Sequence, residues 1–201
     1  MLVLLTLFSF LFGAIPFGLV ISKMYGVDVR NQGSGNIGAT NVYRTIGKLA
    51  GISTFLLDLS KGVLAIEISR YVLSSPANFS ESAAVLGLAA ILGHCFSPML
   101  GGKGGKGIAT SFGVFLYLAP AVSIVTFLIF VAVFYFSRYV SLSSLVSTFS
   151  LSLLLFFSYG LSPVTFAGLF TTVVVFLRHR ENIKRLWIGK ENRFARAQSR
   201  T

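Results

Sequence analysis

Pro120-Ala121-Val122-Ser123-Ile124-Val125-Thr126-Phe127-Leu128-Ile129-Phe130-Val131-Ala132-Val133-Phe134-Tyr135-Phe136-Ser137 carries no charge, and Arg138 and Tyr139 interrupt the apolar character only briefly before it resumes at Val140. A helix needs about 20 such residues to cross the hydrocarbon of a bilayer. Stretches of the same kind lie at about 2–22, 49–73, 82–97, 107–119, 140–159 and 163–177. The expectation is an all-α integral membrane protein of about seven transmembrane helices, the third and fourth of them short.

Composition agrees. Hydrophobic residues make up 54% of the 201 and charged residues 11%, against roughly a quarter charged in a soluble domain. Twenty phenylalanines and a mean hydropathy of +0.80 exclude a disordered chain and argue against a water-soluble enzyme. A single cysteine, Cys95, excludes an internal disulfide and a Cys-rich metal site. With only His94 and His179 besides, too few ligands exist for a transition metal. The first run lacks a preceding basic region and a clear cleavage site, so it is read as a membrane helix rather than a secretory signal.

If all seven runs cross, the basic residues sort by side. Lys23, Arg30, Arg44, Lys48, Lys103, Lys106, Arg138 and eight Lys/Arg between Arg178 and Arg200 share one side, and Arg70 stands alone on the other. Fifteen against one puts the N-terminus outside and the C-terminus in the cytoplasm. A re-entrant 107–119 would change the parity and collapse this asymmetry. The net charge of +11 is thereby explained by topology and does not call for nucleic acid. There is no internal repeat and no separate soluble domain, so residues 1–201 read as one membrane-embedded domain. The last ~15 residues, with alternating charge around Trp187, read as a surface segment.

The polar loops fall together on the cytoplasmic side. Gly33-Ser34-Gly35-Asn36-Ile37-Gly38 satisfies the GxGxxG dinucleotide pattern, but a membrane helix precedes it and Asp58, twenty residues beyond Gly38, sits in the apolar run Phe55-Leu56-Leu57-Asp58. What survives is a loop whose N–H groups, with Ser34 and Asn36, can wrap an anion. Its alternative is a flexible connection. Gly101-Gly102-Lys103-Gly104-Gly105-Lys106-Gly107 fails the P-loop spacing, because Leu100 stands where its first glycine should be and Gly107 follows Lys106. Two lysines beside a helix N-terminus still concentrate positive charge on a phosphate.

Asp58 and Lys61 share a helix face within an apolar span. Three readings stay open for them: a structural ion pair, substrate contact, or ion transport. His94 is either a packing residue or a catalyst. Arg178, His179, Arg180 and Asn182 begin a basic helix that serves topology or the site, and Ser141, Ser143 and Ser144 offer hydroxyls or a helix cap. No nucleophile is legible: Gly-x-Ser-x-Gly is absent, and neither histidine has a carboxylate at readable spacing.

Three long motifs, Ser34 to Arg44, Gly93-His94 through Lys103 to Thr110, and Arg178 to Leu186 with Gly189 and Glu191, resemble in order and spacing the signatures of the bacterial acyl-phosphate:glycerol-3-phosphate acyltransferases. Met99-Leu100-Gly101-Gly102 departs from the family pattern, which has an aromatic residue there. The resemblance implies transfer of an acyl group from acyl phosphate to the 1-hydroxyl of sn-glycerol 3-phosphate at the cytoplasmic face of the cell's inner membrane, with the lipid bilayer as the other partner and no cofactor. On this chemistry Arg44, Lys103, His179, Asn182 and Ser144 are expected to hold glycerol 3-phosphate. Ser34, Asn36, Lys106 and the Gly104, Gly105 and Gly107 backbone then bind acyl phosphate. Asn41, Lys48, Asp58, Lys61, His94 and Ser143 complete the candidate substrate-contacting set. The rival is a transporter of phosphate-bearing solutes, which predicts inverted repeats and a midplane site.

Overall fold

The computed structural model describes residues 1–73 and 79–194, so Arg196 and Arg200 of the sidedness count lie outside the described residues. Among the described residues ten α-helices run in order: α1 (Leu2–Gly13), α2 (Phe17–Met24), α3 (Ala39–Thr45), α4 (Lys48–Leu73), α5 (Phe79–Cys95), α6 (Ile108–Leu118), α7 (Pro120–Ser137), α8 (Val140–Tyr159), α9 (Pro163–Arg178) and α10 (Arg180–Trp187). The same residues contain no strand.

Five described segments are long and apolar enough to cross a membrane: Leu2–Met24, Lys48–Val72, Glu81–Leu100, Pro120–Ser137 and Val140–Tyr159. Two shorter apolar helices, α6 and α9, accompany them. The outward faces carry Phe136, Phe157, Leu161 and Phe166, all exposed, as suits side chains in contact with lipid.

The first span departs from the continuous helix expected over 2–22. Pro16 has no N–H to donate, and the chain breaks between α1 and α2. Freed carbonyls in a span must find donors within the protein. Ser97 Oγ donates to Ala14 O (2.7 Å), and Lys61 Nζ donates to Ile15 O (2.9 Å).

The core runs between α4 and α9, with Ile66, Ala84, Ile91, Val114, Phe115 and Leu155 buried together. Helices approach closely at glycines: a Cβ on Gly13 would overlap Ala90 O, and one on Gly113 would overlap Leu59 O. A second cluster, Leu19, Ile21, Val29, Ile37, Val42 and Ala50, lies under the first loop. That loop is therefore a packed unit and not a flexible connection.

Candidate functional site: a polar pocket beside an apolar chamber

Three chain segments build the pocket. In the first, Asn41 begins α3 and is buried; its Nδ2 donates to Val29 O, Gln32 O and Asn36 O, and its Oδ1 accepts from Ser34 N (2.9 Å). Asn41 thus ties the loop into one conformation and has its polar atoms engaged in doing so. Asn36 Oδ1 accepts from Gly38 N (2.8 Å), and the Ser34 and Asn36 side chains line the cavity.

The second segment is the glycine loop. Gly105 N donates to His94 O (3.0 Å), and a Cβ at Gly104 would overlap that same carbonyl. At Gly105 a Cβ would overlap His94 Nε2, so only glycine fits against the imidazole. Arg178 clamps the loop from the end of α9: Nη2 donates to Gly104 O (2.6 Å) and Nε to Gly105 O (3.0 Å). The loop delivers Lys106 to the pocket, where its Nζ donates to Asn182 Oδ1. Burial pushes the Lys106 ammonium down to about 8; Glu191 opposes this, and Arg185, Arg178 and Arg44 reinforce it.

The third segment is α10 together with residues 188–194. Asn182 Nδ2 and Ser141 Oγ both donate to Glu191 Oε1 (2.7 and 2.9 Å), and Arg185 Nε donates to Oε2 (2.8 Å). Burial alone would raise the Glu191 carboxyl, but these three donors hold it below its ordinary range. Past Glu191, Phe194 packs on Tyr43 and Phe134, its N–H bonds Arg138 O (2.8 Å), and Arg44 Nη2 donates to Asn192 O (3.3 Å). Residues 191–194 thus pack at the pocket, where Glu191 and Asn192 line it while Asn192 and Arg193 stay exposed; residues 195–201 of the expected interfacial or surface segment lie outside the described residues.

The result is a cavity of about 160 Å³ whose walls include Ser34, Arg44, Asp58, Lys106, His179 and Asn182. Phe55, Ile108 and Phe130 belong also to a second, apolar chamber of about 80 Å³, lined further by Phe112, Phe115, Phe127 and Leu151. A ligand with a charged head and a hydrocarbon tail matches this pair of spaces. Among the described residues no cluster of His, Cys, Asp and Glu could hold a metal ion.

The glycerol-3-phosphate acyltransferase family model matches residues 3–189. The chain belongs to this family. It is 43% identical over 193 residues to the glycerol-3-phosphate acyltransferase of Aquifex aeolicus, covering 94% of this chain and 97% of that one. It is 41% identical over 192 residues to that of Geobacter sulfurreducens, covering 95% and 96%. Two crystal structures of PlsY (YgiH), an integral membrane glycerol 3-phosphate acyltransferase, superpose closely. The glycerol 3-phosphate form gives a TM-score of 0.89 at 41% identity, covering 96% of each chain. The lysophosphatidic acid form gives 0.87 at 40%, covering 96% of this chain and 95% of that one. The fold is thus that of an integral membrane acyltransferase, and the transporter reading gives way to it.

The expected residues divide. Ser34, Asn36, Arg44, Asp58, His94, Lys106, Gly107, Ser144, His179 and Asn182 line the polar cavity, and so does Asn41, though its amide is already engaged. Lys48 and Lys103 are exposed and lie outside its lining, as do the buried Lys61, Ser143, Gly104 and Gly105. Ser143 Oγ donates to Tyr139 O (2.8 Å) and Ser144 Oγ to Val140 O (2.8 Å), each in its own helix. The Gly104 and Gly105 carbonyls are taken by Arg178, and the Gly105 N–H donates to His94 O, so this one N–H of the loop is already engaged.

His179 requires a further correction, because the sequence places it among the cations. Burial, reinforced by Lys106, pushes its imidazole down to about 4 and leaves it neutral. Nδ1 lies 2.9 Å from Val175 O. A carbonyl only accepts, so Nδ1 carries the proton and Nε2 is left as an acceptor. Sequence reasoning misses Glu191 and Arg178 as organisers of the site. Glu191 is visible in the third motif, but only the fold shows what it gathers.

Proposed function

We propose that this protein transfers a fatty acyl group from acyl phosphate to the 1-hydroxyl of sn-glycerol 3-phosphate, giving 1-acylglycerol 3-phosphate and inorganic phosphate. The observation that carries this reading is the adjacency of a polar cavity lined by Arg44 and Lys106 and an apolar chamber, with Phe55, Ile108 and Phe130 common to both walls. Both substrates bring a phosphate and one brings a hydrocarbon chain, and the two spaces suit those chemistries. Relatives solved in a glycerol 3-phosphate form and a lysophosphatidic acid form support the substrate and product.

In the reaction the glycerol 1-oxygen attacks the acyl carbonyl carbon, the bond from that carbon to the phosphate oxygen breaks, and the hydroxyl proton must leave. Acyl phosphate is an activated mixed anhydride, so the step does not require a covalent nucleophile on the enzyme. In our reading Arg44, Lys106 and Asn182 hold phosphate oxygens, and Ser34 and Asn36 donate toward the acyl phosphate. His179 Nε2, unprotonated, accepts a hydrogen bond from the attacking hydroxyl, and it or the departing phosphate takes the proton.

The proposed topology is seven crossings of the cell's inner membrane, N-terminus outside, C-terminus and pocket cytoplasmic. α6 is too short to cross alone, with a rise of about 16 Å. Its first residue, Ile108, lines the same cavity as Asp58, which lies about 15 Å along α4 from Lys48. In this reading α6, with the loop that precedes it, makes the fourth crossing, which keeps the parity that the positive-inside count requires.

The test is detergent-purified protein with palmitoyl phosphate and sn-glycerol 3-phosphate, without nucleotide or metal. Equimolar release of lysophosphatidic acid and phosphate is the expected result. Acylation supported by palmitoyl coenzyme A but not by palmitoyl phosphate, from folded protein, would overturn the donor.

A further inference from the structure

Lys61 is absent from the pocket lining, yet its ammonium sits where the α1–α2 break meets two pocket residues, Asp58 and His94. It is 1% exposed. Nζ donates to Ile15 O in the break between α1 and α2 (2.9 Å), pairs with Asp58 Oδ1 (2.9 Å), and lies 2.8 Å from His94 Nδ1. An ammonium has three N–H donors and no acceptor. Toward His94 it can only donate, and the imidazole nitrogen that accepts is the unprotonated one. The His94 ring proton is therefore on Nε2.

Nε2 is the edge that abuts Gly105, and His94 is part of the cavity wall. The same residue's carbonyl holds the Gly105 N–H. His94 is thus a template for the glycine loop on its backbone side, while its ring presents an N–H at the loop's surface. Asp58 Oδ1 lies 3.6 Å from His94 Nδ1. Without Lys61 that carboxylate would be the nearest partner for the ring, and a carboxylate accepts. The proton would then move to Nδ1, and an uncompensated negative charge would face a cavity meant for phosphates.

We infer that Lys61 is a positioning residue that fixes the Nε2–H tautomer of His94 and cancels the Asp58 charge, so that His94 serves the site as a neutral hydrogen-bond donor to an anionic ligand oxygen. Two features make this arrangement specific. The pair lies three residues apart on α4, so one helix face sets both the donor and the carboxylate it neutralises. The contact to Ile15 O fixes the ammonium against the helix break, leaving it no slack to follow Asp58 elsewhere.

The inference rests on the acyltransferase reading only in its kinetic arm. The chain has two histidines, and the structure gives them opposite tautomers: Nε2–H at His94 and Nδ1–H at His179. Nitrogen-15 NMR of histidine-labelled wild-type protein in nanodiscs, with His179→Asn to assign the pair, reads this directly. One resonance set of each tautomer is expected, and Nδ1–H at His94 overturns the inference whatever the enzyme's activity. In Lys61→Met the His94 proton should shift to Nδ1, and kcat/KM with palmitoyl phosphate and glycerol 3-phosphate should fall more than tenfold. In Asp58→Asn/Lys61→Met the amide can donate to Nδ1 in place of the ammonium. That double variant should restore Nε2–H and recover most of the lost activity. A Lys61→Met enzyme that loses activity with His94 still on Nε2–H, or a double variant that regains Nε2–H yet stays as impaired as Lys61→Met, would show Lys61 to be a packing residue alone. Should the single variant not fold, the wild-type tautomer and the double variant still decide the question.

Discussion

Lys106 Nζ reaches Asn182 Oδ1 across 76 residues of sequence, and through Asn182 the glycine loop is joined to Glu191. The three residues form a chain of alternating donors and acceptors: ammonium to amide oxygen, amide nitrogen to carboxylate. Because the amide is engaged at both ends, its orientation is fixed, and with it the position of the one lysine whose ammonium enters the cavity from this loop.

Lys106 should give the enzyme an alkaline limit. Its folded pKa, about 8, lies below the ordinary lysine value, so the charged form that binds phosphate is present below pH 8 and lost above it. One unit higher, about a tenth remains protonated. Substrate phosphates are fully ionised from pH 7 upward, so the change belongs to the enzyme. The kcat/KM for glycerol 3-phosphate should drop about tenfold between pH 7 and pH 9, and the inflection should vanish in Lys106→Arg. A profile flat to pH 9.5 in the native enzyme would remove Lys106 from phosphate binding.

Glu191→Ala removes the acceptor of Ser141, Asn182 and Arg185 together. Hydrogen bonds to a charged group contribute about 1.5–3 kcal/mol each when buried and less where water competes, so thermal unfolding should occur earlier. The larger effect is on geometry: Asn182 is released and Lys106 with it, and a misplacement of about 1 Å costs roughly 100-fold in rate. Steady-state kinetics on folded variant protein check this. Because the Glu191 carboxyl titrates below its ordinary value, its stabilisation is complete above the unfolded pKa and is lost as pH falls through the folded one. Glu191→Gln should therefore flatten the acid side of the stability profile.

The glycine loop offers an internal control. At Gly101 a Cβ would meet nothing within 4 Å, but φ is 58°, so Gly101→Ala should cost about 1–2 kcal/mol through backbone strain and leave turnover within a few-fold. At Gly105 the space is filled by His94 Nε2, and Gly105→Ala should displace the ring or the loop and lose most activity. Equal kinetic effects of the two substitutions would mean that the loop acts only through its backbone freedom.

The contrast between these two glycines marks what the sequence could show. Five long apolar spans and the short fourth run were legible, because hydropathy is a property of segments; the third run, expected to be short, extends over Glu81–Leu100, and the other short helix is α9. Asp58 and Lys61 were readable as a pair because a helix brings i and i+3 together. Their third partner was not, since His94 is 33 residues from Lys61 and joins it only when α4 packs on α5. The break at Pro16 was concealed by the unbroken apolarity around it. His179 misled for a different reason: its charge depends on burial, and the basic residues that surround it in sequence suggested a cation where the fold makes a neutral acceptor.

That neutrality gives the last prediction. His179 stands beside Lys106, which repels a second positive charge, and its Nδ1–H is held by Val175 O. The folded pKa of about 4 lies below the unfolded value, so the neutral form persists as pH falls through 6.5 and gives way only near 4. In the free enzyme the His179 ring nitrogens should show no titration between pH 5.5 and 8; a midpoint near 6.5 would restore it to the cations. Kinetics separate the two roles further. A phosphate-binding cation would raise KM when removed. An acceptor for the attacking hydroxyl acts in the transition state, so His179→Ala should lower kcat by about 10²–10⁴ and leave the KM for glycerol 3-phosphate nearly unchanged, whereas Lys106→Met should do the reverse.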